Sequence, residues 1–189
     1  METRQIKSDL QVDDSRTVIG YAICFDSPSE DLGFIEVIHR GAVTDDTIKS
    51  SDVFAKLNHN DDKVLARSNK GEGSLLLEVD EKGLRYMFDA PNTATGDELL
   101  EYLKRGDLSA SSFAFTVDGS DPTAEKWTKD RNGIIHRNIY KIERLYDVSP
   151  VFCPAYEATS CSKRYKEVQD LSDKIDSKLD ELIKEIENL

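Results

Sequence analysis

The sequence predicts an α+β fold, a mostly β body with one internal helix followed by a separate helical tail. Three observations carry this. Short β-branched and aromatic runs end repeatedly in turn residues. One amphipathic helical stretch lies between Pro91 and Gly106. From Val168 onward the apolar residues recur at intervals of three and four. With 189 residues and 38% hydrophobic content, the chain suits one globular domain of about 100–150 residues plus an appendage.

Taken in order, Thr17 to Phe25 reads Thr-Val-Ile-Gly-Tyr-Ala-Ile-Cys-Phe and is closed by Asp26-Ser27-Pro28-Ser29, a strand followed by a turn. A second apolar stretch covers Gly33 to Ile38. Leu75 to Val79 and Leu84 to Phe88 form a hairpin through Asp80-Glu81-Lys82-Gly83, with Gly83 free to take positive φ. Leu75, Leu77 and Val79 share one face, and Leu84, Tyr86 and Phe88 another. Thr95-Gly96-Asp97-Glu98 reads as a capping box ahead of Leu99, Leu100 and Leu103, and Gly106 as the left-handed stop of that helix. Ser112 to Val117 is then a strand, Asn132-Gly133 a two-residue hairpin turn and Ile134 to Leu145 a long strand. Asp118 to Arg131, around Trp127, is expected to be an extended hairpin tip.

After Pro154-Ala155-Tyr156 the composition turns to Ser, Lys, Glu and Asp. Val168, Leu171, Ile175, Leu179, Leu182, Ile186 and Leu189 then form one apolar stripe. The domain is therefore placed at 1–160 and the tail at 161–189. The tail is either a helix folded back onto the domain or a coiled coil.

Composition excludes several classes of function. Net charge is −12, from 37 acidic and 25 basic residues, and such a surface repels phosphate backbones and anionic headgroups. Neither nucleic acid nor membrane is expected as a partner. Cys24, Cys153 and Cys161 are odd in number and irregularly spaced, so no disulfide framework, metal site or cofactor is indicated, and a reducing, intracellular setting fits. The N-terminus is polar, without the apolar core of a secretory signal, and no later run approaches the roughly 20 apolar residues of a membrane span, so a soluble chain is expected.

The most informative segment is Gly106-Asp107-Leu108-Ser109-Ala110-Ser111-Ser112-Phe113-Ala114-Phe115, which sets a serine against alternating aromatics just after a helix stop. Nucleophilic acyl transfer needs a hydroxyl, a base in reach of its proton and a group that fixes the base's tautomer. The histidines are His39, His59 and His136. His59 ends a short apolar stretch where a loop begins, His39 precedes a turn-like Arg40-Gly41, and His136 lies inside a strand. If Phe113 and Phe115 point into the core, Ser112 faces the other way and is exposed, while Ser111 shares the core face.

Gly106-Asp107-Leu108 with Ser111 to Phe115, the upstream Leu57-Asn58-His59-Asn60, and the downstream Leu145-Tyr146-Asp147-Val148-Ser149-Pro150-Val151 with Pro154-Ala155-Tyr156 resemble the tailed-phage prohead maturation protease family. Glu36-Val37-Ile38 with Gly41-Ala42-Val43, Gly73-Ser74-Leu75 and Gly83-Leu84 extend the match, in family order, from about Gly20 to Thr159. The resemblance implies a herpesvirus-protease-like fold, a mostly antiparallel β-barrel core with flanking helices. It implies Ser112 as nucleophile, His59 as base and Asp147 as orienter. Ser111 is the alternative nucleophile. His136 is the alternative third member, since the herpesvirus assembly proteases use a second histidine; Asp147 is preferred because a carboxylate both orients the imidazole and stabilises the imidazolium. The sequence departs from the family in carrying Ala114 where glycine is usual.

The function implied is that of a serine endopeptidase which cleaves scaffold protein, the removable segment of the major capsid protein and itself. It would work inside the prohead in the host cytoplasm, encoded by a phage or a prophage, as a monomer or a homodimer. Two readings from other classes stand beside it. One is a catalytically silent scaffold or capsid-assembly module with the same fold. The other is an unrelated β-barrel binding domain with a coiled-coil dimeriser.

Overall fold

The computed structural model describes residues 1–7, 10–12 and 16–152, so the tail expected at 161–189 lies outside the described residues. In chain order its strands are β1 (Glu2–Lys7), β2 (Gln11–Val12), β3 (Thr17–Cys24), β4 (Ile35–Ile38), β5 (Asp52–Lys56), β6 (Val64–Asn69), β7 (Glu72–Gly73), β8 (Leu76–Val79), β9 (Gly83–Asp89), β10 (Ala110–Thr116), β11 (Glu125–Lys129), β12 (Ile135–Ile139) and β13 (Arg144–Val151). Two helices, α1 (Asp45–Ser50) and α2 (Ala94–Arg105), and a 3₁₀ turn at Leu57–His59 complete the list among the described residues.

The strands form three sheets, ordered β1-β10-β13-β5-β6-β7, β11-β12-β4 and β2-β3-β9-β8. The α+β, mostly β character agrees with expectation, but the sheets are not closed into a barrel. The six-stranded sheet ends at β1 on one side and at the two-residue β7 on the other, so no ladder joins its edges. Most pairings are antiparallel; β12 with β4 and β13 with β5 are parallel.

Each element has a local cause. The β8–β9 hairpin forms as predicted, with Leu84, Tyr86 and Phe88 buried. Gly83, however, is not in the positive-φ region. It is required by close approach, because a Cβ there would lie 1.8 Å from the Ile23 carbonyl oxygen. Helix α2 is capped two residues earlier than the expected box, by the Thr93 hydroxyl, which accepts from the Gly96 amide, and it ends at Gly106 with φ 74° as anticipated. The short α1 escaped the periodicity reading, six residues being too few to show a period. It is held by a capping box between Thr44 and Thr47.

The long strand expected from Ile134 to Leu145 is two strands on different sheets. The chain leaves the three-stranded sheet after Ile139, where the Tyr140 amide turns to the Ala124 carbonyl and the Ile142 amide to the Ala42 carbonyl. Asn132-Gly133 lies in a longer turn, organised by the Asp130 carboxylate accepting from the Asn132 and Ile134 amides. The expected tip at 118–131 contains β11, and Trp127 packs edge-on to Phe34 and under Arg137.

The core lies among the sheets: Val18, Ile23, Leu84 and Tyr86 meet Phe113, Phe115, Leu145 and Val148. Burying such a side chain contributes about 1.5–3 kcal/mol each. The body therefore makes β10 and β13 its rigid centre. No helix among the described residues is long and apolar enough to cross a membrane.

Candidate active site

Ser111 and Ser112 sit on consecutive positions of β10, and strand alternation sends them to opposite faces. Ser111 Oγ lies 2.8 Å from the Tyr86 hydroxyl on the neighbouring four-stranded sheet. Burial pushes that phenol's pKa up, against the opposing effect of the Ser111 hydrogen bond. Ser111 is thus a link between sheets, fully buried and far from any histidine in its bonding. Ser112 Oγ is 2.5 Å from His59 Nε2.

His59 reaches β10 through an unusual piece of backbone. Leu57, buried, anchors the end of β5, and then Asn58 and His59 both take left-handed φ, 54° and 58°. Left-handed φ in two successive non-glycine residues is costly. It is held by the Leu57 amide on the Lys63 carbonyl, the Asn60 amide on the Leu57 carbonyl and the Lys63 amide on the Asn60 carbonyl. The turn places the imidazole between Ser112 on β10 and Asp147 on β13.

His59 Nδ1 lies 2.8 Å from Asp147 Oδ1. Asp147 is 4% exposed on β13, where its register partners are Ala114 on β10 and Phe54 on β5. The Ser149 hydroxyl donates to the same Oδ1 at 3.0 Å, and Lys56 Nζ stands 4.0 Å from Oδ2. A carboxylate accepting at Nδ1 fixes the tautomer with its proton there, leaving the Nε2 lone pair toward Ser112.

The other sequence candidates lie elsewhere. His136, on β12, is 3.4 Å from Asp130 across the hairpin turn, and Asp147 is the residue paired with His59 Nδ1. His39 bridges Asp26 and Asn138 and stacks on Tyr140. Among the described residues no group of three or more His, Cys, Asp or Glu side chains is placed to hold a metal ion.

Ser112 points away from Ser111, as strand alternation predicts, but its environment differs from the open one expected. Ser112 is 0% exposed rather than open. The reason is β1, which pairs antiparallel with β10 so that Gln5 stands opposite Ser112. Ser112 Oγ lies 2.7 Å from the Arg4 carbonyl oxygen. The sequence reading missed β1 altogether, because Glu2 to Lys7 offers a single apolar residue, Ile6. The weak signal present was the alternation that places Glu2, Arg4 and Ile6 on one side.

Beneath β1 lies a cluster of charges. Arg4 Nε and Nη2 donate to the two oxygens of Glu36 at 2.7 and 2.9 Å. Glu36, 3% exposed, also accepts from Arg137 Nη1 at 3.0 Å. Arg137 binds both carboxylate oxygens of Glu2 and one of Glu125. Burial of Glu2 works against its ionisation, but the hydrogen bonds and charge of Arg137 and the charge of Arg4 outweigh it, and its pKa is lowered.

A buried hydroxyl, an imidazole in its reach and a buried carboxylate behind the imidazole define a site of the serine-hydrolase type, carried on an open, mostly β framework. The chain belongs to the caudovirus prohead serine proteases, whose family model matches residues 2–174. No curated protein and no solved structure matches it.

Proposed function

We propose that this chain is the serine endopeptidase of prohead maturation, with Ser112 as nucleophile, His59 as general base and acid, and Asp147 as orienter. The observation that carries the reading is the unbroken sequence of contacts from Ser112 Oγ through His59 to Asp147 Oδ1. Ser112 Oγ attacks a peptide carbonyl while its proton passes to His59 Nε2, and the imidazolium is stabilised by the Asp147 carboxylate. The proton then goes to the leaving amine, and water, activated by the same imidazole, releases the acyl group from Ser112.

The substrates in this reading are the scaffold protein, the removable segment of the major capsid protein, and the chain itself, met inside the prohead in the host cytoplasm. The tail at 161–189 is the segment by which the protease joins a helical scaffold partner or a second copy. The test is labelling by a serine-directed fluorophosphonate, combined with co-expression of scaffold and capsid protein. Ser112→Ala should lose the label and leave the scaffold intact, a fall of roughly four to six orders of magnitude in cleavage rate. Unchanged processing in Ser112→Ala would leave a silent assembly module as the correct reading.

A further inference from the structure

Resting on the protease reading, we infer that β1 occupies the substrate cleft, and that the cleft selects an extended segment with arginine at the residue supplying the scissile carbonyl and an acid two residues upstream. Three observations converge on this. The first is positional: among the described residues the backbone carbonyl that accepts from the Ser112 hydroxyl is that of Arg4, at 2.7 Å. A strand whose carbonyl oxygen lies within hydrogen-bond reach of the nucleophile runs where a substrate strand has to run, its carbonyl carbon then turning toward Oγ for attack. The residue carrying it marks the specificity position.

The second observation is what receives the Arg4 side chain. Its guanidinium forms a two-pronged pair with Glu36 and lies 5.7 Å from the ring centre of Phe115 and 5.9 Å from that of Phe34. A planar, delocalised cation is matched by a carboxylate fork and aromatic walls in a way that an ammonium is not. Glu36 has partners besides Arg4. Arg137 Nη1 donates to its Oε2, and its own amide donates to Ser29 Oγ at 2.9 Å. The receptor carboxylate is thus tied into the three-stranded sheet by contacts that β1 does not make.

The third observation is charge complementarity. Without β1, Glu36 and Glu125 share Arg137 as their cationic partner in this cluster. An incoming arginine supplies a second cation to Glu36. Glu2, two residues before Arg4 and on the same side of the strand, takes both terminal nitrogens of Arg137. A segment of the form Glu-x-Arg therefore fits both guanidinium and carboxylate receptors, whereas one of reversed order sets like charges against each other. Backbone pairing with β10 supplies the sequence-independent part of the affinity, as in other cases of strand addition to a sheet edge.

Since β1 and a substrate compete for one edge of β10, the unaltered chain holds itself in check. The experiment uses the full chain and fluorogenic peptides containing Glu-Thr-Arg-Gln-Ile, with the arginine replaced in turn by Lys, Gln, Ala and Glu. The unaltered chain should cut after arginine with kcat/KM at least tenfold above the glutamine peptide, and lowest for the glutamate peptide. Arg4→Ala should raise the rate on the arginine peptide by tenfold or more and speed fluorophosphonate labelling of Ser112. Glu36→Gln, close to isosteric, should flatten the arginine-over-glutamine preference and, by loosening Arg4, speed labelling of Ser112. Labelled enzyme that shows no preference for arginine, or an Arg4→Ala variant that is folded and no faster, overturns this inference and leaves the protease reading standing. Absence of both label and cleavage in every variant overturns the two together.

Discussion

The serine strand β10 has two neighbours, and they are built differently. On one side β13 runs beside it from Ala110↔Val151 to Thr116↔Arg144, with Leu145, Val148 and Val151 essentially without solvent exposure. On the other, β1 pairs along a comparable length, from Glu2↔Phe115 to Lys7↔Ala110, but Thr3 and Gln5 are exposed and Glu2, Arg4 and Ile6 only half-buried. One neighbour is fixed by core burial and the other by backbone ladder and ion pairs. Burial of apolar area is lost only on unfolding, whereas polar contacts exchange against water or a competing peptide at small net cost. The side fixed by burial carries Asp147 and, through β5, His59. The side that opens in the proposed reading carries β1.

The strongest attack on this comparison is made through the fixed side. Asp147→Asn preserves shape but removes the acceptor that sets the His59 tautomer, so peptide cleavage should fall on the order of 10⁴-fold while the fold persists. A variant retaining a tenth of the activity would place the orienting group elsewhere. The next effect is on stability. Leu145→Ala on β13 empties a buried site and should cost about 2–5 kcal/mol in urea unfolding. Ile6→Ala on β1 should cost about 1 kcal/mol or less and instead speed labelling of Ser112. Equal losses from the two would erase the distinction between the neighbours.

The smallest effect is set by pH. The Glu2 carboxyl ordinarily titrates at 4.5 and is lowered in the folded chain. A depressed carboxylate contributes stability that is complete above the unfolded value and is lost as pH falls through the folded one. Amide protection in β1 should therefore decline on acidification below pH 4.5, ahead of that in β13, as read by hydrogen exchange corrected for the intrinsic rate at each pH. Parallel decline in both strands would show that Glu2 does not hold β1.

Of the six-stranded sheet, the central serine strand could be read from the chain because its signals are local. The helix stop at Gly106 and the serine–aromatic alternation behind it place β10, and the ordered motifs around His59 and Asp147 name the residues that the fold then gathers. What could not be read depends on partners distant in sequence. Nothing near Arg4 announces that Glu36 lies 32 residues away and in contact, or that Glu2 meets Arg137 across 135 residues. The strand is polar because its partners are charges, and a period-two search for apolar residues passes over it. Gly83 taught the same lesson in a hairpin that was otherwise legible. Its need for a missing side chain arises from β3, a strand some sixty residues earlier, and not from the turn it adjoins. The barrel implied by resemblance failed at the edges, where whether strands close on one another is decided by geometry that no single segment encodes.

The three-stranded sheet has a consequence of its own. Glu36 stands on β4, Glu125 on β11 and Arg137 on β12, while Ser112, Asp147 and the turn bearing His59 belong to the six-stranded sheet. In the proposed reading, the residues that select a sequence and those that break a bond thus stand on separate sheets, with β1 in contact with both. If that reading holds, a lineage can change which sequence it cuts by substituting on one sheet while the alignment of Ser112, His59 and Asp147 on the other is left as it is.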